Sequence, residues 1–246
     1  MKGSSDTMEE FYSRTYQLFG DSLERVIASH VAVVGVGGVG GSAALALARG
    51  GVGKITLIDG DVVSESNLNR QAVAFRSGLG KPKVEEMARL ISDINPNCKV
   101  NAVHAFYSEK TRAEIDAVLS GCDYVLDAID QVREKTELIC MCHERGIPVI
   151  SAMGAGNKLD PTRFVVCDIS KTHDDALAKV MRKKLRDKGI NHTKVVFSSE
   201  APVNNVGLDG DGAAKRVPAS CSFVPPVVGM IMAGECIKDI SGVNHG

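Results

Sequence analysis

Short apolar runs rich in β-branched residues alternate with segments of helical periodicity along the first two thirds of the chain. Such runs predict strands at residues 30–34, 54–59, 100–106, 124–127 and 148–152. The helical segments between them lie at residues 38–50, 84–94 and 132–145. Strands that alternate with helices indicate βαβ units. The pattern therefore predicts an α/β fold, a Rossmann-like, doubly wound and mostly parallel sheet.

The pattern loosens beyond residue 153. Runs at 164–168 and 194–198 predict two more strands, on either side of a basic helix at 174–187. Residues 200–222 are rich in Gly, Asn, Asp and Pro, which predicts a long, mobile, crossover-type loop. A last helix is predicted at about 227–239.

The length of 246 residues suits a single domain with insertions. We divide it into an N-terminal helical segment (1–29), a nucleotide-binding core (30–153) and a substrate-side extension (154–246). The N-terminus lacks the apolar core of a signal peptide, and the longest apolar run, 224–233, is too short to span a bilayer. Seven cysteines without a CxxC pair suit the reducing cytoplasm and offer no zinc ligand set.

A glycine-rich motif follows the first predicted strand. Gly35, Gly37 and Gly40 satisfy GxGxxG at the opening of a helix, where glycines let the backbone approach a phosphate. Asp59 ends the second strand, at the position where an acid binds ribose hydroxyls. These residues predict a nucleotide site. A nicotinamide oxidoreductase and glycines that serve packing alone remain the alternatives at this point.

The polar stretch after Asp59 distinguishes between the two predicted ligands, a nucleoside triphosphate and a nicotinamide dinucleotide. Asp61 is followed by the motif SNLNRQ at residues 66–71, which contains the cation Arg70. Lys83 follows it. A triphosphate needs several cations and a metal held by carboxylate, whereas nicotinamide needs an apolar slot for its ring. Arg70, Lys83 and Asp130 favour ATP.

The motifs GxGGxG, IDGDVV, SNLNRQ, GKPKVE and DAID, in this order, resemble those of the E1-like activating superfamily, which adenylates carboxylates. The resemblance implies that Asp59 binds ribose, that Asn67, Arg70 and Lys83 hold phosphates, and that Asp130 binds Mg²⁺. Gln131 stands where the superfamily usually has Asn. The ATP-binding candidates are Gly35, Gly37, Gly38, Gly40, Asp59, Asp61, Asn67, Arg70, Gln71 and Lys83.

Near the N-terminus, YSRTYQLFG resembles a segment whose arginine reaches the triphosphate of the partner subunit in a homodimer. Arg14 takes that place, so the resemblance implies a homodimer. The alternative is a solvated arginine on an N-terminal helix.

The segment from GAGNKLDP to KKLR, followed by VVFSSEAPV, resembles one family within the superfamily, the tRNA threonylcarbamoyladenosine dehydratases. It implies that ATP adenylates the threonyl carboxylate of a modified adenosine, after which a neighbouring group closes a ring and releases AMP. An activator of a ubiquitin-like sulfur-carrier protein and a non-enzymatic scaffold stay open as alternatives. A monovalent cation at GAGNKLDP and a sulfur-relay partner, such as a cysteine desulfurase or sulfur acceptor, also stay open.

Two further features have a functional and an ordinary interpretation. Cys221 lies roughly where some relatives carry a thioester-forming cysteine, but no His or cation adjoins it in sequence. The basic helix could bind tRNA phosphates or be a solvated face. Its candidate tRNA-binding residues are Lys179, Arg182, Lys183, Lys184 and Arg186. His173, Asp174 and Asp175 resemble a metal triad but are better explained as capping residues of this helix.

Overall fold

The computed structural model describes residues 4–203, 207–208, 214–215 and 219–243. A seven-stranded sheet lies at its centre. The strands are β1 (His30–Val34), β2 (Lys54–Ile58), β3 (Lys99–Val103), β4 (Tyr124–Asp127), β5 (Val149–Ala152), β6 (Phe164–Asp168) and β7 (Lys194–Ser198). Their order is β3-β2-β1-β4-β5-β7-β6, and neighbours are parallel except β6 against β7. The order reverses between β1 and β4, where sheets of this kind bind ligands.

Helices cover both faces of the sheet. They are α1 (Ser4–Phe19), α2 (Leu23–Ala28), α3 (Gly38–Arg49), α4 (Lys83–Ile94), α5 (Arg112–Leu119), α6 (Val132–Glu144), α7 (Ala176–Asp187) and α8 (Val224–Ser241). Successive residues of β1 point to opposite faces, so Val33 belongs to the buried cluster of Leu47 and Met232 from α3 and α8. Val34 belongs to the cluster of Leu119 and Leu138 from α5 and α6. The core therefore has two layers, one on each face.

The predicted α/β sheet is confirmed, with local differences. The sequence did not predict α5, a helix of only eight residues that buries Ile115 and Leu119. The last helix begins at Val224 instead of residue 227, because its two prolines lie in the first turn, where no intrahelical N–H is needed. Much of the loop predicted at 200–222 lies outside the described residues, and the division into three segments stays a prediction.

No described helix combines the length and apolar character needed to cross a bilayer.

Candidate active site

The glycine loop, residues 35–40, connects β1 to α3 at the switch point of the sheet. Gly35 has φ of +91°, and a Cβ there would lie 2.7 Å from the carbonyl oxygen of Ala128 after β4. A Cβ on Gly40 would overlap the carbonyl oxygen of Gly35. Gly37 is the N-cap of α3 and brings no side-chain oxygen. The first-turn N–H groups of α3 therefore stay available for an anion.

Asp59 is held against the glycine loop. One carboxylate oxygen accepts a hydrogen bond of 2.6 Å from the main-chain N–H of Val36, and the other accepts one of 2.8 Å from Asp61. The ring of Phe106, which is 54% exposed, lies against Gly60 next to this acid. An acid fixed at the end of β2 beside an exposed aromatic ring suits the ribose and base of a nucleotide.

The predicted phosphate-binding cations lie at the glycine loop and at the start of α4. Lys83 is buried and forms an ion pair of 2.8 Å with Asp61, which is about half exposed. The aliphatic part of Arg70 packs near Gly38, and its guanidinium donates hydrogen bonds to Ser66 O and Asn69 Oδ1. Both cations already have hydrogen-bond partners in the protein. Either side chain would have to exchange these partners for phosphate oxygens when a triphosphate binds.

Asn67 and Gln71 play different parts in the turn between these cations. Asn67 is buried, and its Oδ1 accepts a hydrogen bond of 3.1 Å from the main-chain N–H of Ser64, so it shapes the turn. Gln71 is 8% exposed, and its Oε1 is buried without a hydrogen-bond partner. Its Nε2 lies 3.8 Å from the Cβ position of Gly37. An unpaired buried carbonyl oxygen costs about 1–3 kcal/mol, so the conformation of Gln71 is not explained by its own hydrogen bonds.

Asp130 lies exposed just after β4, across the loop from Gly35. Behind it, Asp127 and Lys135 form a fully buried ion pair of 2.8 Å, and Ser151 Oγ donates a hydrogen bond of 2.6 Å to Asp127. Asp127 also accepts from the N–H of Ile129. This buried network was not predicted, although DAID contains Asp127. It fixes the backbone that carries Asp130.

Asp130 is a single exposed carboxylate, and among the described residues it belongs to no group of metal-binding side chains. Within the described ranges, no three His, Cys, Asp or Glu residues come together to hold a metal ion. Mg²⁺ in nucleotide sites commonly takes one or two carboxylates together with water and substrate phosphates. The donor set therefore fits Mg²⁺ brought in with a triphosphate.

Arg14 lies away from the glycine loop of its own chain. Its neighbour Tyr12 packs on Gly51, in the loop between α3 and β2 at the amino ends of the strands. Because α3 has 12 residues, this loop is roughly 18 Å from the start of the helix. Arg14 is exposed, and Phe11 and Leu18, which lie three and four residues away on the same helix face, are 38% and 74% exposed.

Cys221 borders the segment 154–160. Asn157, at φ of +59°, exchanges hydrogen bonds of 2.8 and 2.7 Å with Ala219. Lys158 is buried and pairs with Asp175 at 2.8 Å, while its carbonyl oxygen lies 4.0 Å from the Cys221 thiol. This pair, also missed from sequence, joins the Cys221 segment to the start of α7. A hydrogen bond from the Thr162 hydroxyl lowers the pKa of Asp160 at the end of this segment.

Four of the five basic candidates form a stripe on α7. Lys179, Arg182, Lys183 and Arg186 have the spacing i, i+3, i+4 and i+7, and Lys184 lies off this stripe. Arg182 is half-buried and donates to the carbonyl of Thr172.

The amino end of α7 lies at the same sheet edge as the glycine loop. Asp175 caps this helix by accepting from Ala178 N at 2.8 Å, which confirms its predicted capping role. His173 pairs with Asp174 at the surface, 3.0 Å apart. The structure thus brings the glycine loop, Asp59, the cations and Asp130 to the switch point of the sheet, and places Arg14 towards the opposite edge.

Comparison with known proteins gives consistent results. The profile of the ThiF family matches residues 12–246. A tRNA threonylcarbamoyladenosine dehydratase from Bacillus subtilis is 48% identical over 230 residues, which cover 89% of this chain and 90% of the relative. The structure of E. coli tRNA N6-threonylcarbamoyladenosine dehydratase in complex with AMP aligns with a TM-score of 0.87 and 37% identity over 98% of both chains. The same E. coli enzyme in complex with ATP aligns with a TM-score of 0.85 and 36% identity over 96% of both chains.

Proposed function

The chain belongs to the ThiF family, and we propose that it catalyses the ATP-dependent dehydration of threonylcarbamoyladenosine in tRNA. The observation that carries this proposal is the assembly of glycine loop, ribose-binding acid and two cations at one point of the sheet, in a chain 48% identical to a dehydratase of that name. The E. coli relative binds ATP and AMP, which favours adenylation over nicotinamide chemistry. The same relatives favour tRNA over a sulfur-carrier protein as the carboxylate donor.

The residues support a two-step route. ATP would place its ribose at Asp59 and its phosphates on the N–H groups of the glycine loop, with Arg70 and Lys83 around them. A carboxylate oxygen of the threonyl group attacks the α-phosphorus and diphosphate leaves. A neighbouring group of the same side chain then attacks the activated carbonyl, and AMP leaves with that carboxylate oxygen. The net result is loss of one water from the nucleoside, and intramolecular attack benefits from a high effective molarity.

Asp130 would hold Mg²⁺ next to the phosphates. The ion neutralises charge on the phosphate oxygens when bound. The chain's own contribution is the Asp127–Lys135 pair, which fixes the backbone that carries Asp130. We also propose that the amide Nε2 of Gln71 donates to the bound phosphates, because it lies 3.8 Å from the Cβ position of Gly37 in the glycine loop.

We propose that the active unit is a homodimer in which Arg14 reaches the partner's site. The distance of Arg14 from its own glycine loop supports action on the other subunit. The exposed side chains of Phe11 and Leu18 on the same face of α1 support burial of this face against a second copy.

The stripe on α7 is the proposed contact for tRNA phosphates, since three of its four cations, Lys179, Lys183 and Arg186, are exposed on one helix face. A cytoplasmic location, a monovalent cation at residues 154–160 and a sulfur-relay partner stay predictions.

The function is tested by incubating the protein with ATP and tRNA that carries threonylcarbamoyladenosine, and then weighing the nucleoside. We expect loss of the mass of one water, with ATP required and AMP formed in equal amount. Asp130→Ala and Arg70→Ala should abolish the reaction while the thermal unfolding curve stays unchanged. An unchanged nucleoside, or ATP–diphosphate exchange stimulated by a carrier protein instead of tRNA, would contradict the proposal.

A further inference from the structure

Phe223 presents an exposed aromatic ring at the rim of the candidate site. It is the N-cap residue of α8 and is 47% exposed. The next residue, Val224, is fully buried, and Pro225 packs on the glycine loop, 3.0 Å from the Cβ position of Gly38. Phe223 is therefore only two residues along the chain from Pro225, which contacts the proposed phosphate-binding loop at Gly38.

The backbone on the other side of Phe223 is fixed as well. The carbonyl of Ser220 accepts a hydrogen bond of 3.2 Å from Asn69, whose own amide oxygen accepts from Arg70. Cys221 contacts the segment 154–160 through Lys158. Residues 220–225 thus form a wall attached to the phosphate end of the site. Because the backbone of this wall is bonded on both sides, the exposed side chain of Phe223 has a defined position beside the site and is available to a ligand.

A second exposed ring stands at the other end of the site. Phe106 lies against Gly60, beside the ribose-binding acid Asp59, so it adjoins the nucleoside end of bound ATP. The proposed reaction needs a second nucleoside, the modified adenosine, whose carboxylate must reach the α-phosphorus near the glycine loop. Phe223 stands at that phosphate end.

We propose that Phe223 is the stacking platform for the purine of the modified adenosine and so helps to select the tRNA substrate. This inference rests on the proposed function. Proteins that read unpaired RNA bases commonly stack them on aromatic side chains. Stacking requires an accessible ring on a fixed support; Phe223 is 47% exposed, and Pro225 and Ser220 hold the backbone on either side of it.

The chain has no tryptophan, so Phe223→Trp creates a single indole fluorophore at the platform. An anticodon stem-loop RNA that carries threonylcarbamoyladenosine should quench its fluorescence, because a stacked purine quenches indole. Phe106→Trp is the matched control: its parent ring is similarly exposed, at 54%, but lies at the ribose end. The same RNA should leave the control fluorescence largely unchanged. Equal quenching of both, or no quenching of Phe223→Trp while labelled RNA binds by anisotropy, would overturn the proposal.

Kinetics provide a second readout. Phe223→Ala should raise KM for tRNA between about fivefold and about a hundredfold and leave KM for ATP unchanged. Phe223→Tyr should restore it, because the aromatic face returns. A wild-type protein that dehydrates no tRNA would remove the proposed function itself. A wild-type protein that does so, together with a folded Phe223→Ala variant of unchanged KM for tRNA, would remove only this inference.

Discussion

Asp59 accepts a hydrogen bond of 2.6 Å from the main-chain N–H of Val36, so the acid at the end of β2 is tied to the glycine loop at the end of β1. Its other oxygen is bonded to the N–H of Asp61. The carboxylate therefore joins the glycine loop to the residues after β2 through its two oxygens, and it is the proposed ribose-binding group. The distance also links two motifs that stand more than twenty residues apart in sequence.

Asp59→Asn should weaken ATP binding more than it weakens the fold. The amide keeps the size of the side chain but loses the charge and one acceptor oxygen. Hydrogen bonds to charged groups are worth about 1.5–3 kcal/mol, so KM for ATP should rise at least tenfold. Asp93→Asn, at an exposed site on α4, is the control and should leave it unchanged. Equal KM values for ATP in the two variants would refute the role of Asp59.

Arg14→Ala and Asp130→Ala should complement each other in mixed dimers. Each variant alone should be inactive, because one lacks the cation given to the partner and the other lacks its own Mg²⁺ ligand. Random reassociation of equal amounts makes half of the dimers mixed, each with one intact site, so about a quarter of wild-type activity should return. Activity that stays at the level of the separate variants would show that Arg14 does not act on the partner's site.

Two glycines of α8 should respond in opposite directions to alanine. A Cβ on Gly229 would overlap the carbonyl oxygen of Val39 in α3, so Gly229→Ala should lower the free energy of unfolding by about 1–3 kcal/mol. Gly234 is exposed and a Cβ there meets nothing within 4 Å, so Gly234→Ala should raise it by up to about 1 kcal/mol. Urea unfolding measures both. Destabilisation by both substitutions would contradict the close α3–α8 packing behind the glycine loop.

Charge reversal on the α7 stripe should weaken tRNA binding. Lys179→Glu together with Lys183→Glu should raise KM for tRNA and lower the salt dependence of binding by about two counterions, while KM for ATP stays constant. Lys184→Glu, on the same helix but off the stripe, is the control, and it is compared with the single reversal Lys183→Glu, which changes the net charge equally. Similar losses from the control and from the stripe would indicate a general charge effect and remove α7 from the tRNA site.

Cys221 should react with thiol reagents before the buried cysteines do. We also expect that its thiol is not needed for catalysis. Burial raises the pKa of Cys98 to about 11 and that of Cys122 to about 12, so both stay protonated and unreactive at about pH 8. Cys221 is only half-buried, so iodoacetamide should modify it ahead of these two. Cys221→Ser should keep most of the dehydratase activity. An inactive Cys221→Ser enzyme that still binds ATP would require a covalent step.

The parts that sequence predicted well are set by local rules. The glycine loop, Asp59 and the sheet follow from strand and helix periodicity and from the need for glycine where β1 turns into α3. The structure places Arg70, Lys83 and Asp130 around that loop because parallel strands end at one edge.

The parts that sequence missed depend on distant contacts. The pair Asp127–Lys135 joins residues eight apart in the buried layer, and Lys158–Asp175 joins two segments across β6. No sequence motif indicates either ion pair. The partner of a buried charge is set by the tertiary fold and not by the residues next to it in sequence. The position of Phe223 at the candidate site likewise depends on a distant contact, that of Pro225 with Gly38.

The most direct test of the central claim follows one oxygen atom. The carboxylate of threonylcarbamoyladenosine in tRNA is labelled with oxygen-18, and the nucleotide products are analysed by mass spectrometry after reaction with ATP. If the carboxylate attacks the α-phosphorus held over the glycine loop, AMP carries the label and diphosphate does not. Label in inorganic phosphate together with ADP, or unlabelled AMP, would contradict this account.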